Sequence, residues 1–263
     1  MPFPSPASRD GVGIDVRALG IAFPIYHVNT RELRRGLVAF AAGRIGRDPR
    51  NRMAVQALAD LSFSVAPGER IGLVGGNGAG KTTLLRALAG IYEPVTGEVH
   101  VRGDVNALLD TSLGLNMDLT GRENIALRCL HAGLSRARVR DIEADVSEFA
   151  ELGSFLDMPI RTYSSGMVIR LGFAIATAIR PNILLMDEWF LAGDMHFMAK
   201  ARERLERLVQ EAEILVISTH QMEVISAWCT RVFWMEQGRI RMEGPPDAVL
   251  PAYLAGPGED EAA

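Results

Sequence analysis

The sequence predicts an α/β fold, a mostly parallel sheet with a helical insertion in its middle, on three features. The runs 182–187 (NILLMD) and 214–218 (ILVIS) are short and almost wholly apolar, the pattern of strands covered on both faces of a parallel sheet. Strand and helix patterns alternate along the chain. From Gly121 to about Ile179 helical periodicity takes over.

Taken in order, residues 12–23 read as an opening strand region, followed by a basic stretch and a second strand region at 57–65. Pro67 and Gly68 turn the chain into a third strand at 70–74, which runs into a glycine-rich loop. The helix after that loop carries Leu84, Leu85 and Leu88 on one face, and GEVHVRG at 97–103 alternates as a strand. Residues 198–213 form an amphipathic helix, with Leu205 and Leu208 on the buried side and Glu203 spaced to pair with Arg207. Residues 231–244 read as a hairpin around Gly238.

Composition excludes several classes. Among 263 residues, 48% are hydrophobic and 23% charged, ordinary proportions for a chain that buries a core. The net charge of −4 and a pI near 5.8 argue against a nucleic-acid-binding surface. Cys129 and Cys229 stand far apart with no metal-ligand spacing, so reduced structural thiols are expected. The best candidate for a membrane span, 171–179, is fenced by Arg170 and Arg180, well short of the roughly 20 residues a span needs. The N-terminal segment holds three prolines and no apolar h-region, and is expected to be a loose leader.

The most specific signal is Gly75-Gly76-Asn77-Gly78-Ala79-Gly80-Lys81-Thr82, which satisfies GxxxxGK[ST] between a strand and a helix start. Backbone N–H groups can wrap a polyphosphate only where no Cβ intervenes, which explains the glycines. Lys81 reaches the outer phosphates, Thr82 places its hydroxyl on Mg²⁺, and Thr83 follows in the same first turn. Asp187 ends a buried strand where such folds hold the metal-positioning carboxylate, and Glu188 beside it is placed to take a proton from attacking water. His220 follows the next buried strand and is expected to contact the γ-phosphate or orient Glu188. A nucleoside triphosphate with Mg²⁺ is therefore the expected ligand.

Tyr163-Ser164-Ser165-Gly166-Met167, at a helix start ahead of Asp187, is similar to the signature loop of ABC transporter nucleotide-binding subunits, and the resemblance covers nearly the whole chain. It implies a P-loop NTPase of the ABC-ATPase fold, with an antiparallel β subdomain beside the parallel core and a helical subdomain at about 115–178. It implies one nucleotide-binding domain over 12–250; flexible ends are expected at 1–11 and 255–263, and, with so few residues after the hairpin, no C-terminal carbohydrate-binding domain is expected. It further implies a homodimer in which Ser164, Ser165 and Gly166 of one copy close on the nucleotide of the other. Read without the family, Ser164 and Ser165 are helix N-cap residues, and the two roles are compatible.

The departures are informative. Ser165 and Met167 replace the usual glycine and glutamine of the signature, and no glutamine occurs between Gln56 and Gln210, so Asp110 and Thr111 stand about where the Q-loop glutamine belongs. Asp194 matches the D-loop aspartate. YSSGM, LTGRENI at 119–125 and DEWFLAGD at 187–194 together resemble the ATPases of ABC-2-type polysaccharide exporters, which serve O-antigen, capsule and teichoic acid. That resemblance implies two copies of a membrane-spanning permease, a lipid-linked glycan as cargo, and a peripheral place on the cytoplasmic side of the inner membrane. An exporter of a drug or another lipid, or a soluble ABC ATPase, are the alternatives. Phe23 or Tyr26 is expected to stack on adenine. Residues 31–52 hold seven arginines against Glu32 and Asp48, a solvated face or a contact for anionic headgroups or a lipid-linked pyrophosphate.

Overall fold

The computed structural model describes residues 11–25, 45–47, 53–109, 114–188 and 195–256. The chain divides into two compact units, one of Met1–Leu109, Ile183–Glu188 and Glu213–Ala263, the other of Asp110–Asn182 and Trp189–Ala212.

Among the described residues the first unit holds ten strands. They are β1 (Gly13–Pro24), β2 (Ile45–Arg47), β3 (Met53–Val65), β4 (Arg70–Val74), β5 (Thr96–Arg102), β6 (Val105–Leu108), β7 (Ile183–Asp187), β8 (Ile214–Ser218), β9 (Arg231–Glu236) and β10 (Arg239–Gly244). One sheet is antiparallel, in the order β2-β3-β1-β5. The other runs β10-β9-β4-β8-β7-β6, parallel throughout except for the β9–β10 hairpin. This is the parallel core and antiparallel subdomain that the sequence implies. The second strand region begins at Met53, four residues earlier than its pattern suggests, because β1 pairs with it as far as Pro24↔Ala54.

The parallel strands are apolar on both faces because both are covered. Ile71 and Leu73, Ile183 and Leu185, Ile214 and Val216, and Phe233 and Met235 alternate along their strands and so share one face. That face packs on α1 (Lys81–Leu88) through Leu84, Leu85 and Leu88. Each such aliphatic side chain taken from water contributes roughly 1.5–3 kcal/mol. The same face carries the ends of β7 and β8 to the loop that precedes α1.

The second unit is helical: α2 (Gly121–His131), α3 (Arg136–Ala150), α4 (Ser165–Ala178) and α5 (Met195–Glu211). Phe149, Phe173 and Phe197 form its aromatic centre, with ring centroids 5.6–6.1 Å apart. Arg204 lies 4.4 Å over the Phe149 ring and donates to Thr177 and Asp145. Leu205 and Leu208 are buried and Glu203 pairs with Arg207, as the α5 pattern requires.

Two helices of the first unit carry no strong sequence signal, α6 (Met222–Trp228) and α7 (Pro246–Ala255). The second starts on a proline, whose fixed φ suits a first turn. Cys129 and Cys229 are free and buried, and burial pushes the Cys229 thiol up to about 12. Among the described residues no helix is long and apolar enough to cross a membrane. Most of the arginine-rich stretch, residues 1–10 and 257–263 at the two ends, and residues 110–113, Asp110 and Thr111 included, lie outside the described residues.

Candidate active site

The glycine-rich loop is anchored at its two ends and open between them. A Cβ on Gly75, whose φ is 146°, would lie 2.2 Å from the Met235 carbonyl oxygen. On Gly80, at φ 107°, it would meet the Ala57 carbonyl oxygen at 2.9 Å and Leu58 at 2.8 Å. Ala79 is buried, and its carbonyl accepts from Gly238 N–H at the tip of the β9–β10 hairpin. The chain's own packing therefore requires glycine at 75 and 80. At Gly76 an added Cβ meets nothing within 4 Å, and Gly76, Asn77 and Gly78 form an exposed rim. No neighbour in the first unit demands glycine at 76, so its backbone is left accessible to a ligand.

Four side chains converge behind this rim. Lys81 is buried and its Nζ donates to the carbonyl oxygens of Gly75 at 2.6 Å and Gly76 at 3.1 Å. Burial holds its ammonium below the ordinary lysine range, while the Asp187 and Glu188 carboxylates push it back up. Asp187 ends β7. Glu188 is the next residue, in the left-handed region at φ 38°, with its N–H held by the Ser218 carbonyl at 2.9 Å. A non-glycine residue costs roughly 1–2 kcal/mol there, and the bond to β8 holds it in place. His220 Nε2 lies 2.6 Å from Glu188 Oε1, so Nε2 carries the proton and donates it to the carboxylate. The structure thus sets His220 against Glu188, the partner named in the second of the two roles anticipated for it.

Thr82 is exposed on the first turn of α1 and Thr83 partly buried behind it. A hydroxyl and a carboxylate are hard oxygen donors, the set Mg²⁺ prefers, so Thr82 and Asp187 suit that ion. An orphaned polar atom supports the fit: the Ser218 hydroxyl is buried with no hydrogen-bond partner among the described residues.

Phe23 is the penultimate residue of β1, pairs with Val55, and is 39% exposed. Its ring meets Tyr92 edge-on at 5.1 Å, and the Tyr92 hydroxyl accepts from Arg86. Sequence reasoning missed Tyr92, because nothing local ties it to Phe23. Tyr26 and Asp194 lie outside the described residues.

In the second unit Ser164 caps α4, its hydroxyl accepting from Met167 N–H at 3.3 Å. Ser164 and Ser165 are exposed, and a Cβ on Gly166 would find its nearest neighbour 4.0 Å away. Tyr163 donates its hydroxyl to the Phe155 carbonyl at 2.6 Å, and burial pushes its phenol up. A Cβ on Gly121 would meet that hydroxyl at 2.7 Å, which joins LTGRENI to YSSGM physically. The rest of LTGRENI is a clamp. Thr120 and Glu123 form a reciprocal capping box at the start of α2. Buried Asn124 accepts from Asn116 N–H and donates to the Asn116 and Thr120 carbonyls.

Residues 58–191 match the ABC transporter family. The chain is 42% identical over 224 residues to an O-antigen export system ATP-binding protein of Yersinia enterocolitica, covering 85% of this chain and 94% of that one. It is 38% identical over 213 residues to a teichoic acids export ATP-binding protein of Lactococcus lactis, covering 81% of this chain and 46% of the relative, about half its length. The fold is similar to that of an ATP-binding cassette solved as a dimer in a post-hydrolysis state with ADP and Pi, at TM-score 0.64 and 19% identity over 89% of this chain and 98% of that one.

Proposed function

The chain belongs to the ABC transporter family as one of its ATP-binding subunits, and from that premise we propose that it hydrolyses ATP to power export of a lipid-linked polysaccharide of the O-antigen, capsule or teichoic-acid type through a separate permease. The observation that carries the chemistry is the convergence of Lys81, Asp187, Glu188 and His220 behind the open rim of the glycine-rich loop. The cargo rests on the likeness to the O-antigen and teichoic-acid export proteins.

In this reading the N–H groups at the open rim and the N-terminus of α1 take the phosphates of ATP. Lys81 exchanges the Gly75 and Gly76 carbonyls for the outer phosphates, so its burial favours a dianionic partner over water. Thr82 and Asp187 would hold Mg²⁺, and the ion would supply positive charge to offset that of the phosphate oxygens. Glu188 accepts the proton of the attacking water, and His220 fixes the carboxylate by donating from Nε2. Phe23 offers a ring face to adenine, Tyr26 being the other candidate. Ser164, Ser165 and Gly166 of a second copy, with Asp194, complete each site in a head-to-tail homodimer. Gly166 fits this role because within its own unit an added Cβ would find only the Ser164 hydroxyl, 4.0 Å away.

The dimer docks under two permease subunits at the cytoplasmic side of the inner membrane, with residues 12–250 as the nucleotide-binding domain. The arginines of 31–52 meet anionic headgroups or the pyrophosphate of the carrier lipid. The test replaces Glu188 by Gln in the native host and fractionates polysaccharide into surface and internal pools. Loss outside with accumulation inside is expected; unchanged pools alongside lost ATPase activity would assign the cargo to another class.

A further inference from the structure

Ser218 presents a buried hydroxyl that the mechanism above does not use. It ends β8, the strand between β4, which leads into the glycine-rich loop, and β7, which ends in Asp187. Its register partners are Leu73 on one side and Asp187 on the other. Residues directly paired across parallel strands point to the same face. That face is fixed by the rows behind them: Ile71 and Leu73, Ile183 and Leu185, and Ile214 and Val216 all pack with α1. Asp187 and Ser218 are the next members of the β7 and β8 rows, so both side chains emerge on the side of α1 and its phosphate-binding N-terminus. Ser218 is 0% exposed, and its hydroxyl has no partner among the described residues. An orphaned buried hydroxyl opposes folding, and an apolar residue of the same size would avoid it. Neighbouring Thr219 spends its own hydroxyl on Gln221 N–H, so the orphan is particular to Ser218.

We propose that Ser218 is a positioning residue for the metal, its hydroxyl binding a water of the Mg²⁺ shell beside Asp187. A direct bond to Asp187 is absent, and a bridging water suits two polar groups that face the same way on neighbouring strands without touching. Mg²⁺ gives up its waters reluctantly and keeps several when it binds a carboxylate and a nucleotide, which supplies such a water. The hydroxyl acts through that water and touches neither the reacting phosphorus nor the attacking oxygen. The inference rests on the Mg-ATP reading of the site.

The test uses the full chain carrying Glu188→Gln, so that nucleotide persists, and Mn²⁺ as a spectroscopic substitute for Mg²⁺. Affinity for Mn²⁺ in the presence of saturating ATP is read by electron paramagnetic resonance, and affinity for ATP without metal by a fluorescent analogue. Ser218→Ala is expected to weaken Mn²⁺ binding about fivefold, roughly 1 kcal/mol at 1.4 kcal/mol per tenfold. ATP affinity without metal stays unchanged, and the thermal midpoint of the nucleotide-free protein rises by about 2 °C as the orphan is removed. A purely structural serine moves no metal constant, so unchanged Mn²⁺ affinity would overturn the proposal. Ser218→Thr and Ser218→Val have the same shape and differ only in the hydroxyl, which removes any packing change from the comparison. Tighter Mn²⁺ binding by Ser218→Thr supports the proposal, and equal binding overturns it. A parent protein that binds no Mn²⁺ with ATP overturns the Mg-ATP reading itself, and the inference with it.

Discussion

Alanine at Gly75 and at Gly76 should have opposite consequences, although the two glycines are adjacent in one motif. At Gly75 the new Cβ stands 2.2 Å from the Met235 carbonyl oxygen, a backbone atom that cannot swing aside, and the backbone keeps φ 146°. A non-glycine residue in that region costs about 1–3 kcal/mol. Forcing the loop away from β9 costs about 1–3 kcal/mol more, the usual range for overpacking. The sum, about 4 kcal/mol, is a large share of a domain's stability and lowers the melting temperature by about 10 °C. At Gly76 the new methyl meets nothing within 4 Å, so nucleotide-free stability should stay within about 0.5 kcal/mol of wild type. Its effect appears only with ligand: a Cβ on the rim holds phosphate off the backbone N–H groups, and ATP affinity should fall at least about tenfold, or ~1.4 kcal/mol. Thermal and urea unfolding followed by circular dichroism, with fluorescent-ATP titration, measures both. Equal destabilisation by the two substitutions, or Gly76→Ala binding ATP like wild type, would refute the division of the loop into anchors and an open rim.

Ser164 combines a cap with a proposed contact to a second copy's nucleotide. Ser164→Asp keeps the cap and should hold stability within about 0.5 kcal/mol while ATPase activity collapses, whereas Ser164→Ala should lose about 1 kcal/mol of stability as well; equal activity in Ser164→Asp would leave only the cap. Asn124→Ala strands the N–H and carbonyl of Asn116 and should cost about 2–3 kcal/mol by urea unfolding, far more than an exposed asparagine. Cys229, pushed up to about 12 by burial, stays a neutral thiol at pH 8 and should resist alkylation until the protein unfolds. Its folded-state value exceeds its unfolded one, so its contribution to stability is present below about pH 9 and lost as pH rises toward 12, and the urea midpoint should fall over that window.

The parallel core was legible because its strands are short apolar runs that end at chemistry. ILVIS ends at Ser218 in the structure as in the pattern, and Asp187 closes β7 as its place beside a glycine-rich loop requires. The loop itself was legible as a motif, but not the division of labour within it. Which glycines face Met235 or Ala57 depends on β9, far along the chain, and on β3 of the other sheet. The Glu188–His220 pair was half legible: each residue closely follows a buried strand, but only the β7–β8 register brings the two side chains within 2.6 Å. Tyr92 and Ser218 were invisible because the first owes its place to Phe23, distant in sequence, and the second to the lack of a partner among the described residues. The short helices α6 and α7 escaped because a seven-residue segment and a proline-containing one give weak periodicity.

In the proposed function Glu188, held by His220, is the base of an ATPase that closes as a dimer on Mg-ATP. Steady-state phosphate release by the purified protein and by Glu188→Gln, paired with size-exclusion chromatography in Mg-ATP, tests it most directly. The account predicts that the variant loses at least about 100-fold in turnover, the usual scale for general-base catalysis, yet elutes as a stable dimer with ATP bound. Near-wild-type turnover in Glu188→Gln would contradict it.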